Sequence, residues 1–129
     1  MLKKDISELN QLTEKIIGLA IKVHRILGPG FLESVYQAAL AHELNKAGIA
    51  FAKEKVLPVI YDGIKLDIGF RCDFLVENSV IVECKAVKEI TPIDKARLLN
   101  YLKICKLQIG LLINFNVLVL KDGISRMIN

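Results

Sequence analysis

The feature that most constrains the fold of this chain is residues 71–85, where two short runs rich in Val, Ile and Phe flank a turn. The turn is centred on Asn78, and asparagine tolerates the left-handed backbone that a tight turn requires. Because side chains alternate along a strand, one face of the resulting β-hairpin is entirely apolar and belongs against a core. That face carries Cys72, Phe74, Val76, Val80, Val82 and Cys84.

The opposite face of the hairpin carries charges that folding does not require. Asp73 would lie directly across from Glu83, and like charges in that position destabilise a sheet. A cation bound between them would remove the repulsion, and Lys85, on the same face as Glu83, would reach the same space. The hairpin therefore predicts a metal site on the sheet. The alternative is a solvated sheet face with a surface ion pair, which is typically worth about 0–1 kcal/mol.

The composition is that of an ordinary globular domain. A chain of 129 residues fits one domain over 1–129, and 53% hydrophobic residues can bury a substantial core. No apolar run is long enough to cross a membrane and no signal-peptide core is present, so we expect a cytoplasmic location. Three cysteines without a CxxC spacing predict free thiols. We expect Cys72 and Cys84 to face each other as a buried thiol pair.

The charge favours a partner that carries phosphates. The formal net charge is +4 and the sequence pI is near 9.0, and lysine and arginine side chains bind a nucleic-acid backbone by displacing its counterions. Basic residues lie before, within and after the hairpin in the sequence. They are Lys53, Lys55, Lys85, Lys88, Lys95, Arg97, Lys103 and Lys106.

Periodicity and turn signals predict an α/β fold, in which a mixed β-sheet is flanked by helices. The first helix is predicted over 5–27 with a cap at Asp5, and the second over 31–47. Strands are predicted over 53–61 and 64–77, and a further strand ends at 85. A helix from 91 to 105, with Thr91 as its cap and Asp94 in its first turn, is followed by a strand over 107–115 and a closing hairpin of 117–120 with 123–128. The helix between two strands predicts a parallel, right-handed crossover. The strands before it predict an antiparallel hairpin at the start of the sheet.

Four charged or titratable positions on the first two helices have ordinary structural interpretations. His24 lies in the last turn of the first helix, where positive charge complements the helix dipole, and no partner for chemistry is visible. Glu33 lies in the first turn of the second helix, where the dipole stabilises a carboxylate by up to about 1 kcal/mol. His42 and Glu43 are predicted to lie on a solvated face.

Two motifs in this order resemble a known group of proteins. Asp73 followed by Glu83-Cys84-Lys85 resembles the D…(D/E)xK signature of the PD-(D/E)XK nuclease superfamily. Residues 30–36, Gly-Phe-Leu-Glu-Ser-Val-Tyr, resemble the motif that names the GxxExxY family, small bacterial and archaeal proteins placed in that superfamily. Residues 70–76, 98–102 and 110–115 also resemble that family, so the likeness covers nearly the whole chain.

The resemblance implies a restriction-endonuclease-like core preceded by two N-terminal helices. It implies Asp73 and Glu83 as ligands of Mg²⁺, with Mn²⁺ as a substitute, and Lys85 beside them. It also implies that Glu33 is drawn into the site from its helix, in place of the simple dipole role. The expected catalytic residues are therefore Asp73, Glu83, Lys85 and Glu33, and the expected nucleic-acid contacts are Arg97, Tyr101 and Lys88.

One position departs from the family pattern, because Arg97 stands where the family usually carries a glutamine. Either Arg97 contacts phosphate itself, or it marks an altered site. Three functions follow: a metal-dependent nuclease, a nucleic-acid-binding module that has lost catalysis, and a subunit that depends on a partner protein. We expect nucleic acid as the partner, DNA in preference to RNA, no membrane, and a homodimer or partner protein as options for assembly.

Overall fold

Five strands form one mixed sheet with helices on both faces in the computed structural model, which describes residues 3–129. The elements are α1 (Ile6–Leu27), α2 (Glu33–Lys46), β1 (Phe51–Leu57), β2 (Ile60–Tyr61), β3 (Ile64–Lys65), β4 (Phe70–Val76), β5 (Val80–Lys85), α3 (Pro92–Cys105), β6 (Ile109–Asn114) and β7 (Ile124–Ile128). The sheet order is β1-β4-β5-β6-β7, and β2 and β3 form a separate two-stranded ribbon. The predicted α/β class, a mixed sheet flanked by helices, is confirmed.

Local sequence signals explain where the helices begin and end. The Asp5 side chain accepts a hydrogen bond from the backbone N–H of Glu8 at 2.8 Å and caps α1, which ends at Gly28 in a positive-φ conformation. At the start of α3, Thr91 and Asp94 form a reciprocal capping box. No helix within the described part of the chain is both long and apolar enough to cross a membrane.

The sheet separates two apolar clusters. The α1 and α2 side buries Leu12, Ile16, Tyr36, Leu40, Val82 and Leu111, and the α3 side buries Leu75, Ile81, Leu98, Leu102 and Leu112. The strands β5 and β6 are parallel and are joined by α3, as predicted, and all other pairs in the sheet are antiparallel. A sheet covered on both faces explains why the β6 sequence is apolar up to its last residue, Asn114.

The position of Cys72 differs from the prediction. Cys72 and Cys84 are both buried and free, but Cys72 lies in the α3-side cluster and Cys84 in the opposite one. The alternation of side chains breaks because β4 leaves regular pairing with β5 beyond Phe74. The neighbouring strand β1 is irregular at the same level, where Glu54 has a left-handed φ of 55°. The two thiols therefore do not face each other.

Two further segments were predicted wrongly. Residues 117–120 do not form a strand; a short 3₁₀ turn at Leu120–Gly123 leads directly into β7, which pairs with β6. Gly123 passes so close to the carbonyl oxygen of Asn114 that a Cβ atom would collide with it. The second segment is 53–77, where the predicted strand over 53–61 is divided into β1 and β2 by Pro58, which cannot donate a ladder hydrogen bond. The predicted strand over 64–77 is likewise divided into β3 and β4, which belong to different sheets.

Glu43 is buried, contrary to the predicted solvated face. Its carboxylate lies 3.0 Å from Lys22 Nζ of α1 and 3.7 Å from Lys46 Nζ of its own helix. The buried carboxylate of Glu43 is therefore paired with two lysines, because burying an unpaired carboxylate is costly. His24 is also buried, and its Nε2 lies 2.7 Å from the carbonyl oxygen of Val117, which ties the end of α1 to the segment after β6.

The buried side chain of Asn114 holds the loop that follows Lys85. Its Oδ1 accepts hydrogen bonds from the backbone N–H groups of Val87 at 3.1 Å and Asn116 at 3.2 Å. Its Nδ2 donates to the carbonyl oxygen of Val87 at 2.9 Å. One side chain at the end of β6 therefore satisfies three backbone groups in two loops.

We predict that Asn114→Ala lowers the free energy of unfolding by about 2–4 kcal/mol, because buried backbone groups lose their partners. The measurement is urea denaturation, with Asn116→Ala as the control because that side chain is exposed and makes only a 3.5 Å contact. A loss of the same size in both variants would contradict the role given to Asn114.

Candidate metal and nuclease site

The strands β4 and β5 separate beyond Phe74, and carboxylates take the place of backbone pairing. Oδ2 of Asp73 accepts a hydrogen bond from the backbone N–H of Cys84 at 2.8 Å. Oε1 of Glu83 accepts one from the backbone N–H of Asp73 at 3.3 Å. Each strand therefore holds the carboxylate of the other, and the two acidic side chains are fixed beside each other.

The carboxylates of this pair are partly buried and repel each other. Burial, followed by the charge of Asp73, raises the pKa of Glu83 to about 8. Burial also raises the pKa of Asp73, against the opposing hydrogen bond from Cys84 and the charge of Lys85. Because both groups resist ionisation without a counter-charge, the pair favours a bound cation.

Tyr36 fixes the segment that leads into α2. Its hydroxyl donates to the carbonyl oxygen of Gly28 at 2.6 Å and accepts from the backbone N–H of Phe31 at 3.2 Å. Its ring stacks on Phe115 with centroids 4.6 Å apart. Glu33 is the first residue of α2, so these contacts of Tyr36 also fix the position of Glu33.

Glu33 lies near the acidic pair, as its charge environment indicates. Burial raises its pKa, with a further increase from Asp73, whereas the charge of Lys85 and hydrogen bonding by Gln37 lower it. Gln37, one turn along the same helix, also lowers the pKa of Asp73 by hydrogen bonding. The sequence reasoning missed Gln37, although its i+4 spacing from Glu33 places both side chains on one face of α2.

Lys85 is held from the other side of the sheet by α3. Its Nζ lies 3.7 Å from Oδ1 of Asp94, and Arg97 Nη1 lies 3.8 Å from the same oxygen. Hydrogen bonding by Thr91 in the capping box lowers the pKa of Asp94, so this carboxylate is charged near neutral pH. The sequence identified Asp94 only as a helix-start residue, because its contact with Lys85 depends on how α3 packs.

A cavity of about 190 Å³ opens beside these charges. Its polar lining consists of Arg71, Glu83, Lys85, Asp94, Arg97 and Tyr101. The Tyr101 ring stacks on Phe70 with centroids 3.4 Å apart, and burial raises the pKa of its hydroxyl. Of the predicted nucleic-acid contacts, Arg97 and Tyr101 therefore line this cavity, whereas Lys88 is exposed in the loop after β5.

The donor set fits a hard divalent cation. Within residues 3–129, no three His, Cys, Asp or Glu side chains converge closely enough to form a metal site by themselves. Mg²⁺ commonly uses one or two carboxylates and completes its shell with water and substrate phosphate. The partly buried Asp73–Glu83 pair, in which burial raises both pKa values, matches that requirement.

Comparison with known proteins identifies the superfamily of the chain. The sequence model of the PD-(D/E)XK nuclease superfamily matches residues 10–127, and the chain belongs to that superfamily. No curated protein matches the chain. One similar solved structure is the crystal structure of SSO0001, at 20% sequence identity and a TM-score of 0.49. The match covers 73% of this chain and 47% of the other, so the chain spans about half of that protein's length.

We predict that, with divalent ions removed by a chelator, the free energy of unfolding falls as the pH rises from about 4.5 to about 8. The folded state retains a proton on Glu83 across this interval, whereas the unfolded state releases it near 4.5, so raising the pH favours unfolding. The effect is on the order of 1.4 kcal/mol for each unit by which the two pKa values differ.

Urea denaturation across that interval measures the slope. Glu83→Gln is expected to flatten it, and Glu89→Gln, which changes an exposed carboxylate in the loop after β5, is the matched control. Equal slopes for the unchanged protein and Glu83→Gln would show that Glu83 ionises normally.

Proposed function

We propose that this protein is a metal-dependent nuclease that hydrolyses phosphodiester bonds, and that it is a GxxExxY-type member of its superfamily. The observation that carries the proposal is the Asp73–Glu83 pair, which is held between two separating strands. Lys85 lies two residues after Glu83 on β5. Membership of the PD-(D/E)XK nuclease superfamily, whose nucleases are generally dependent on divalent metals, supports it. DNA is the proposed substrate in preference to RNA.

Asp73 and Glu83 would hold the ion, with Glu33 and the carbonyl oxygen of Cys84 as further oxygen donors. When bound, Mg²⁺ or Mn²⁺ supplies Lewis-acid polarisation of the scissile phosphate and acidifies water at the site. The backbone N–H groups of Asp73 and Cys84 orient the two carboxylates for this purpose. Gln37 steadies the third carboxylate from α2.

Lys85 is the proposed catalytic lysine. Its ammonium would orient the attacking water or neutralise charge that develops on the phosphoryl oxygens. Arg97, Arg71 and Tyr101 line the adjacent cavity and would position the nucleic-acid backbone by charge and hydrogen bonding. Asp94 touches both Lys85 and Arg97, so we assign it as a positioning residue for these two cations.

A second candidate function is binding of nucleic acid without efficient cleavage. The observation that favours it is the Lys85–Asp94–Arg97 contact, because Asp94 offsets part of the positive charge that the transition state would use. A requirement for a partner protein or a second copy would also leave the isolated chain inactive. Salt-sensitive binding without turnover, or turnover only after co-purification, distinguishes these two cases.

We predict divalent-dependent cleavage in a panel of single-stranded, double-stranded and branched DNA and RNA, assayed with Mg²⁺ and with Mn²⁺. Lys85→Ala and Asp73→Asn are each expected to lower the rate by about a hundredfold or more, the size expected when an electrostatic catalytic group is lost. Lys103→Ala, an exposed lysine on α3, is the control for net charge. Cleavage at equal rates by Lys85→Ala and the unchanged protein would exclude this site.

We predict that Asp94→Asn lowers the cleavage rate by about tenfold, because Lys85 and Arg97 lose the carboxylate that positions them. Asparagine can still accept the hydrogen bond from the Thr91 N–H, so stability is expected to change little. Thr91→Ala is the converse control: it removes the cap at a cost of about 1 kcal/mol but leaves the ion pair. Parallel losses of rate in both variants would assign Asp94 a purely structural role.

A further inference from the structure

A second cavity, of about 360 Å³, lies at the turn end of the β4–β5 hairpin. Lys85 is at the other end of β5, and the two cavities share no lining residue. The walls come from the start of α1, the hairpin turn, and the link between α3 and β6. Its size is within the range of small-molecule sites in proteins.

The charges around this cavity favour an anion. Among the described residues, Lys3, Lys4 and Lys106 line it together with one acid, Glu77. Lys4 Nζ pairs with Glu77 at 3.1 Å, and within residues 3–129 neither Lys3 nor Lys106 takes part in an ion pair. The lining therefore carries a net charge of +2, from three lysines and one glutamate.

The backbone at the cavity supports a role for these side chains. Lys106 follows α3 with a φ of 56°, and Glu77 occupies the hairpin turn with a φ of 49°. Glycine adopts this left-handed region without strain, whereas the conformation destabilises other residues by about 1–2 kcal/mol. At both positions the chain carries a charged side chain that lines the cavity. The helix dipole favours a cation at 106 but has no bearing on Glu77.

Four uncharged residues of the lining indicate what the neutral part of a ligand would contact. Leu9 and Leu107 provide apolar surface, and Asn78 and Gln108 provide carboxamides, each with a donor and an acceptor. A planar ring with a hydrogen-bonding edge fits this combination, and a phosphate fits the lysines. We propose that this cavity binds a mononucleotide, with its base between the leucines and its phosphate on Lys3 and Lys106.

The test is isothermal titration of the full chain with adenosine 5′-monophosphate, adenosine and inorganic phosphate, in a chelating buffer that keeps divalent ions from the candidate nuclease site. We expect the monophosphate to bind at least about tenfold more tightly than either part, because each part loses one set of contacts. Phosphate that binds as tightly as the monophosphate would reduce the cavity to a simple anion site and overturn the nucleotide assignment.

Lys106→Gly is the decisive variant, because glycine relieves the left-handed strain while removing the charge. We expect stability to be kept or increased and affinity to fall by about tenfold. Lys103→Gly, one turn earlier on α3, makes the same charge change outside the cavity and is expected to keep the affinity. Glu83→Gln is also expected to bind normally. No binding of the monophosphate, or equal affinity in Lys106→Gly, would overturn the proposal.

Discussion

The exchange of hydrogen bonds between Asp73 and the following strand is the interaction on which the rest of the site depends. Two adjacent strands that separated without it would leave backbone N–H groups of the sheet without partners, which is costly in a buried place. The carboxylates satisfy those groups at Asp73 and Cys84, so opening the sheet and fixing the acids are one structural event. The same event brings two carboxyl groups together in a partly buried place, which makes the site receptive to a cation.

Residues from both faces of the sheet reach this opening. α2 presents Glu33 from one side, where Tyr36 anchors the preceding segment, and α3 presents Asp94 from the other. The helices belong to different apolar clusters, so the site depends on both layers packing correctly. This arrangement explains how a short chain can surround Lys85 with groups from three distant segments.

Most of the fold could be predicted because it follows from local signals. Apolar spacing with the caps at Asp5 and Thr91 located the helices, and the turn at Asn78 fixed the hairpin register. The face on which Cys72 lies was predicted wrongly, because the alternation of side chains assumes a regular strand. Gln37 and Asp94 were missed as site residues because their roles depend on contacts across elements. The i+4 spacing places Gln37 on the same face of α2 as Glu33, but no local pattern encodes the contact of Asp94 with Lys85.

The hydrogen bonds between Asn114 and Val87 indicate at what stage of folding the site is completed. These residues are 27 positions apart, and they meet only when the parallel pairing of β5 with β6 has closed around α3. Pairing across such a separation carries a loop-closure cost that hairpins avoid, and it forms more slowly. A newly made chain would thus hold its acidic pair in a local hairpin before Lys85 and its loop are fixed, which delays a complete active centre until the whole sheet exists.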